Sequence, residues 1–305
     1  MHWMSTRLKT GERFVKKLLS QTVLHSLRHS LHHWRVGLRV SKTSLLDDGL
    51  QALSAFRWID SPRGHFYADP MLFEHEGRIW LFVEDYLHAT NRAQTILAAE
   101  LSEDGSVDGF MPVLTRPYHV SYPLVFRHKD DIYMLPETAE HHTIELYRSV
   151  RFPFQWRLHK VLFDHAGYDT TPLEFEGRWY FFTTLPEQGT RDGYTHVFMA
   201  DDLAGPWEPH PVSPLYPPGK GRGAGPIIRV DGRLIRPTQC GIPVYGYSFS
   251  LDEIIQLDPK RIVHQRLATF EPTWSRHLRG THTYGRVGQI EVIDSCWGVN
   301  PYDVM

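Results

Sequence analysis

The sequence predicts an all-β chain folded as a five-bladed β-propeller. Three observations carry this: a strand–turn–strand unit recurs five times, its turns (positions 77, 131, 177, 232 and 288) lie 46 to 56 residues apart, and glycine and proline run through the whole chain. The period is near the roughly 40–50 residues of a four-stranded blade. With 23 glycines and 21 prolines among 305 residues, many short strands joined by turns are favoured over a helical bundle.

Taken in order, the chain opens on a basic segment. Residues 1–40 hold eight Lys/Arg against Glu12 alone, so the formal net charge of −2 conceals +7 here and −9 in the remainder. Val15, Leu19, Val23, Leu27 and Leu31 recur at i+4 with Phe14 and Leu18 beside them, which predicts an amphipathic helix within a first region, 1–33. Such a helix packs on the main domain or lies peripherally on an anionic membrane surface. The second region, 34–305, is the propeller. Trp34 to Val40 alternates like a strand and is available to complete the last blade, closing the ring and removing exposed edges.

The repeated units follow. They are Ala68-Asp69-Pro70-Met71-Leu72-Phe73 to the turn at Gly77, Ser121-Tyr122-Pro123-Leu124-Val125-Phe126 to Asp131, and Thr170-Thr171-Pro172-Leu173-Glu174-Phe175 to Gly177. Looser copies run from Ala224-Gly225-Pro226 to Gly232 and from Gly280-Thr281-His282-Thr283-Tyr284 to Gly288. Each reads as a β-hairpin. Residues 95–101, 143–148 and 196–200 stand where a third strand belongs, and 154–156 and 205–208 lead into outer strands.

Composition also excludes. The basic character is local, so nucleic acid is a poor partner for the main domain. Cys240 and Cys296 are the only cysteines, too few for a disulfide framework. No apolar run reaches the roughly 18 residues of a membrane span. The expectation is a cytoplasmic protein, peripheral at the inner membrane surface if the first region binds lipid. Gly219 to Gly225 lacks the Gly-Lys-Ser/Thr helix start of a phosphate loop and reads as a rim loop. The pairs His32-His33 and His141-His142 lack the spacing of zinc ligands on one helical face.

In a propeller the entrances of the inner strands converge at one mouth of the central channel. The repeats place Asp69, Tyr122, Asp169 with Thr170, Arg222 with Ala224, and His282 there. Two carboxylates, an arginine and a histidine in one funnel make a polar site.

The succession Ala68-Asp69-Pro70, Ser121-Tyr122-Pro123, Asp169 to Pro172 and Ala224-Gly225-Pro226 resembles the blade entrances of glycoside hydrolase family 43 and related five-bladed propellers. That resemblance implies Asp69 as general base and Asp169 as the carboxylate that tunes it. It does not supply the acid, because where that family has Glu this chain has Ala224. A second resemblance covers roughly residues 34–298. Phe66-Tyr67-Ala68-Asp69-Pro70, Phe82-Val83-Glu84-Asp85, Leu135-Pro136-Glu137-Thr138, Asp169-Thr170-Thr171, Arg236-Pro237-Thr238-Gln239 with Tyr245-Gly246, and Gly280-Thr281-His282-Thr283 are similar to the N-terminal propeller of the plant glucosamine inositolphosphorylceramide transferases and their bacterial relatives.

Glycoside hydrolysis needs a carboxylic acid and a separate carboxylate, and Glu84 and Glu137 are the candidates for the acid beside Asp69. A sugar leaving as a phosphate needs cationic stabilisation more than a proton, which Arg222 and Arg236 can provide. The expected substrate contacts are Tyr122, Thr170, Arg222, Arg236, Gln239, Tyr245 and His282, with glycan, glycolipid or nucleotide sugar as partner. The expected activity is glycosyl transfer from an activated donor, with family 43-like hydrolysis and noncatalytic glycan binding as alternatives. No cofactor is required, although the resemblance allows a central calcium ion near His282.

Overall fold

The computed structural model describes residues 32–187 and 190–298, and these form five antiparallel sheets set as blades of one propeller. The helix expected in the first region falls on residues outside those described, except that His32 and His33 already belong to a strand. Blade one is His65–His75, Arg78–Leu87, Arg92–Leu101 and Met111–Thr115; blade two is Ser121–His128, Asp131–Glu137, Ile144–Arg151 and Gln155–Phe163. Blade three is Tyr168–Phe175, Arg178–Glu187, Thr190–Ala200 and Glu208–Pro209. Blade four splits its inner strand into Lys220–Gly223 and Ile228–Val230 before Arg233–Cys240, Ser248–Asp258 and Arg261–Phe270.

Blade five joins both ends of the described chain. Its inner pieces, Leu278–Gly280 and Tyr284–Val287, pair with Ile290–Gly298, and that strand pairs along its whole length with His32–Val40. Arg57–Ile59 adds the outer edge. Arg39 locks the closure by donating to Glu291 at 2.7 Å, and Glu291 also accepts from Tyr284 Oη at 2.6 Å and Leu45 N–H at 2.7 Å. The alternating strands turn their apolar faces to neighbouring blades, so the core is a set of clusters between blades. One packs Phe82, Ile96, Leu124 and Met134 between blades one and two; another packs Ile235, Phe249, Tyr284 and Ile293 between four and five.

The feature that builds the mouth is a bulge repeated in the first three blades. Asp69 and Pro70, Tyr122 and Pro123, and Asp169 and Thr170 each set two residues opposite one, and the first of each pair has a left-handed φ of 50°, 47° and 48°. Bulges re-aim side chains and cluster at functional sites. The register therefore aligns Asp169 with Asp69 directly, although the proline of the third copy comes three residues later instead of one.

Tyr122 occupies the same position but is fully buried. Its hydroxyl accepts from Gly225 N–H at 2.8 Å, donates to the Gly225 carbonyl at 3.0 Å and lies 2.8 Å from Thr171 Oγ1. It is a pin joining blades two, three and four, not the substrate contact expected. The space it fills helps explain one fourth-blade glycine. A Cβ on Gly223 would sit 2.4 Å from the Asp169 carbonyl and 2.8 Å from the Tyr122 hydroxyl. Because Tyr122→Phe strands buried partners, it is expected to cost about 2–3 kcal/mol, measurable as a lower denaturant midpoint; an unchanged midpoint would show that the hydroxyl holds nothing.

Candidate active site

The site begins with Asp69. Its left-handed backbone turns the carboxylate towards the axis, where Oδ2 accepts from Tyr122 N–H at 3.0 Å and Oδ1 accepts from Thr283 Oγ1 at 3.2 Å. Its own N–H donates to Asp294 Oδ2 at 3.2 Å. A chain of carboxylate-to-amide bonds thus runs from blade five through blade one to blade two. Burial pushes the Asp69 carboxyl up to about 6, with Asp169 and Asp294 adding to the rise and His282 and the Tyr122 N–H opposing it. A group in that range is matched to proton transfer near neutrality.

Glu84 and Glu137 stand at equivalent positions, each opposite the residue before a bulge: Glu84 pairs with Ala68, Glu137 with Ser121. Both are buried. Burial raises Glu84 well above the usual carboxylate range, helped by the charges of Asp69 and Glu137 and by a hydrogen bond to Asp69. Glu137 is raised by burial as well, against the pull of Arg222, and hydrogen bonds to Asp169. The mouth therefore holds two carboxyl–carboxylate pairs, Asp69 with Glu84 and Asp169 with Glu137, in one shared field.

Arg222 serves the second pair. Nε donates to Asp169 Oδ2 at 2.5 Å and Nη2 to Glu137 Oε2 at 3.0 Å, while Gln239 Nε2 donates to the same Asp169 oxygen at 2.7 Å. The guanidinium lies over the rings of Tyr168 and Tyr245, 4.9 and 5.5 Å from their centres. Among the described residues, Nη1 has no hydrogen-bond partner. A small depression there is lined by Thr184, Lys220, Arg222, Gln239 and Tyr245.

The remaining expected contacts are placed elsewhere. Thr170 is buried with its hydroxyl 2.8 Å from Thr183 Oγ1, inside blade three. Arg236 is 2% exposed, donates to the Gly221 carbonyl at 2.7 Å and packs over Phe182. Both side chains are taken up by contacts within blades three and four. Ala224 is also buried, within the apolar cluster of blades four and five. A longer acid there would enter the core, so the missing family 43 acid reflects a changed surrounding as well as a changed residue.

His282 is buried and stacked on Trp34, ring centres 4.0 Å apart. Nδ1 lies 2.7 Å from Asp294 Oδ2, and Nε2 lies 3.9 Å from Asp69 Oδ1. Burial opposes the imidazolium, yet Asp294 and Asp69 carry its pKa above the ordinary value. Asp294 escaped sequence reasoning because it belongs to no repeat; the available signal was a carboxylate inside the apolar run Val292 to Cys296. Asp69, His282 and Asp294 offer ligand atoms within 4.8 Å of one another. Asp294 already accepts from the N–H groups of His282 and Thr283 at 2.9 and 3.0 Å. Two carboxylates and an imidazole supply three of the six to eight ligands a calcium ion takes, which also include waters, and Asp294 links the three by accepting from the Asp69 N–H and pairing with His282 Nδ1.

Several solved structures share this architecture. A family 117 glycoside hydrolase from Zobellia galactanivorans aligns with a TM-score of 0.53 at 10% identity, covering 90% of this chain and 94% of its own. A putative glycoside hydrolase from Bacteroides ovatus aligns at 0.53 with 13% identity, over 79% and 93%. Identities this low establish the fold alone. In sequence, glucosamine inositolphosphorylceramide transferase 1 of Oryza sativa subsp. japonica is 30% identical over 198 residues, 63% of this chain and 27% of that protein. The Arabidopsis thaliana protein of the same name is 30% identical over 183 residues, 58% and 24%. The chain thus spans about a quarter of the length of these curated relatives. A family described as glucosamine inositolphosphorylceramide transferase 1, N-terminal, matches residues 58–276, most of the propeller. To that family this chain belongs.

Proposed function

We propose that this propeller is a carbohydrate-active enzyme that transfers a sugar from a phosphate-linked donor, with Asp69 as the base that activates the acceptor hydroxyl. The observation that carries this is the meeting, in one mouth, of a carboxylate poised near neutrality and a guanidinium whose Nη1 has no partner among the described residues. A departing phosphate is an anion already, so the Arg222 Nη1 edge and Lys220 at the rim of the depression meet its need. The position that would hold a separate acid is filled by buried Ala224. The relatives named as transferases of inositolphosphorylceramide support a glycolipid acceptor.

A second reading, hydrolysis, is favoured by one observation. Burial favours the protonated forms of Glu84 and Glu137, and a general acid must carry its proton. Incubating the protein with nucleotide sugars and inositol phospholipids, and separately with aryl glycosides, tests the choice. Product that appears only with a nucleotide sugar supports transfer; release of phenol from aryl glycosides with no transfer product would replace it with hydrolysis. Thermal stabilisation by glycans without turnover of either kind would reduce the chain to a binding module.

A further inference from the structure

One sector of the mouth carries an unexplained surface. The turn 241–246 joins two strands of blade four beside the depression, and its tip is apolar and exposed: Ile242 is 53% accessible, Val244 49%, and Pro243 between them is exposed too. The turn is firmly placed. Gly241 N–H donates to the Gly219 carbonyl at 2.9 Å, and the Gly246 carbonyl accepts from Thr281 N–H at 2.9 Å.

Those two bonds also set its neighbours. Lys220, next to Gly219, is exposed on one flank; Arg276 and Arg279, leading into Gly280 and Thr281, are exposed on the other. None of the three forms a salt bridge among the described residues, whereas Arg35, Arg39, Arg78, Arg92 and Arg148 all do. An apolar tip between uncompensated cations suits the boundary of an anionic bilayer, where the tip enters the acyl region and the cations meet headgroup phosphates. His32 pairs with Gly298 at this same end of blade five, so residues 1–31, with six Lys/Arg against Glu12, join the propeller there.

We propose that the blade four and five rim docks on an anionic membrane surface through Ile242, Pro243 and Val244, presenting the mouth to lipid headgroups. The substrate class that follows, a sugar acceptor or donor anchored in the bilayer, rests on the glycan reading above; the docking itself does not. An expanse of this kind on a water-facing protein otherwise marks a protein contact, and the charge pattern is what selects lipid.

The test uses the full chain and vesicles of phosphatidylcholine, alone or with about 30 mol% phosphatidylserine. Co-sedimentation is expected only with the anionic vesicles, weakened by raising salt from about 0.1 to 1 M. The double variant I242E/V244E, altered only at an exposed turn, is expected to partition roughly tenfold less while melting like the parent. Equal partitioning of parent and double variant would overturn the proposal. So would a dimer of the parent that the double variant dissolves, with no vesicle binding by either. Asp69→Asn is expected to bind vesicles like the parent, and a parent protein that binds vesicles but turns over no glycan substrate would sink the catalytic reading and leave the docking standing.

Discussion

Asp69→Asn is expected to lower turnover by roughly a thousandfold or more while leaving the propeller folded and, at neutral pH, more stable. On the proposed transfer chemistry, the rate effect follows from loss of the base, since proton transfer and charge placement would together carry the reaction. In the parent, kcat/KM should rise with pH through about 6, where the buried carboxyl ionises, and level off above it. The stability effect has a definite sign. Asp69 binds its proton more tightly folded, at about 6, than at the ordinary 3.8. Its contribution to stability is therefore fully present below about 3.8 and lost as pH rises through 6, a loss on the order of 3 kcal/mol. Asn escapes that loss, and its amide can donate to Thr283 Oγ1 while its oxygen still accepts from Tyr122 N–H. Melting curves at pH 4.5 and 7.5 check this: the variant should gain on the parent between them. A variant with parental turnover would remove Asp69 from the mechanism, and one that melts lower at pH 7.5 would mean that its hydrogen bonds outweigh its desolvation.

Arg222→Met should be the most destabilising change in the mouth. It deletes the cation between Asp169 and Glu137, whose side chains are both buried. Removing one partner from a buried ionic cluster costs about 3–5 kcal/mol, because the remaining charge is left unpaired. For a domain of this size that lowers the melting temperature by roughly 6–15 °C. The deficit should shrink as pH falls, since Glu137, raised by burial, no longer needs the cation once it carries a proton. Turnover should also fall, with donor KM rising if the free Nη1 edge binds phosphate. A loss independent of pH would show that packing over Tyr168 and Tyr245, not charge, is what Arg222 provides.

The fold was legible because hairpins repeat, and repetition survives imperfect copies. Even ring closure by Trp34 to Val40 could be read from alternation alone. The site was legible only where chemistry coincided with the repeat. Asp69 and Asp169 share a bulge that leaves no mark on hydropathy, so aligning on proline displaced the third copy by two residues. Tyr122 and Thr170 stood in the right repeats, but sequence does not tell whether a polar atom at a strand entrance faces the channel or a neighbouring blade. Asp294 and Trp34 were missed because each has one copy, and their roles depend on blade five being made from both ends of the described chain.

That composite blade dictates an order of events. Arg39 and the Glu291 that holds it are 252 residues apart in sequence, so the contact has no local substitute. During synthesis the strand His32–Val40 emerges before blades one to four and its partner Ile290–Gly298 after them. Long-range pairing of this kind slows folding, and until it forms, blade one has no neighbour on one side, Asp69 has no Asp294 for its amide, and the site does not exist. Assembly of the mouth and completion of the ring are one step.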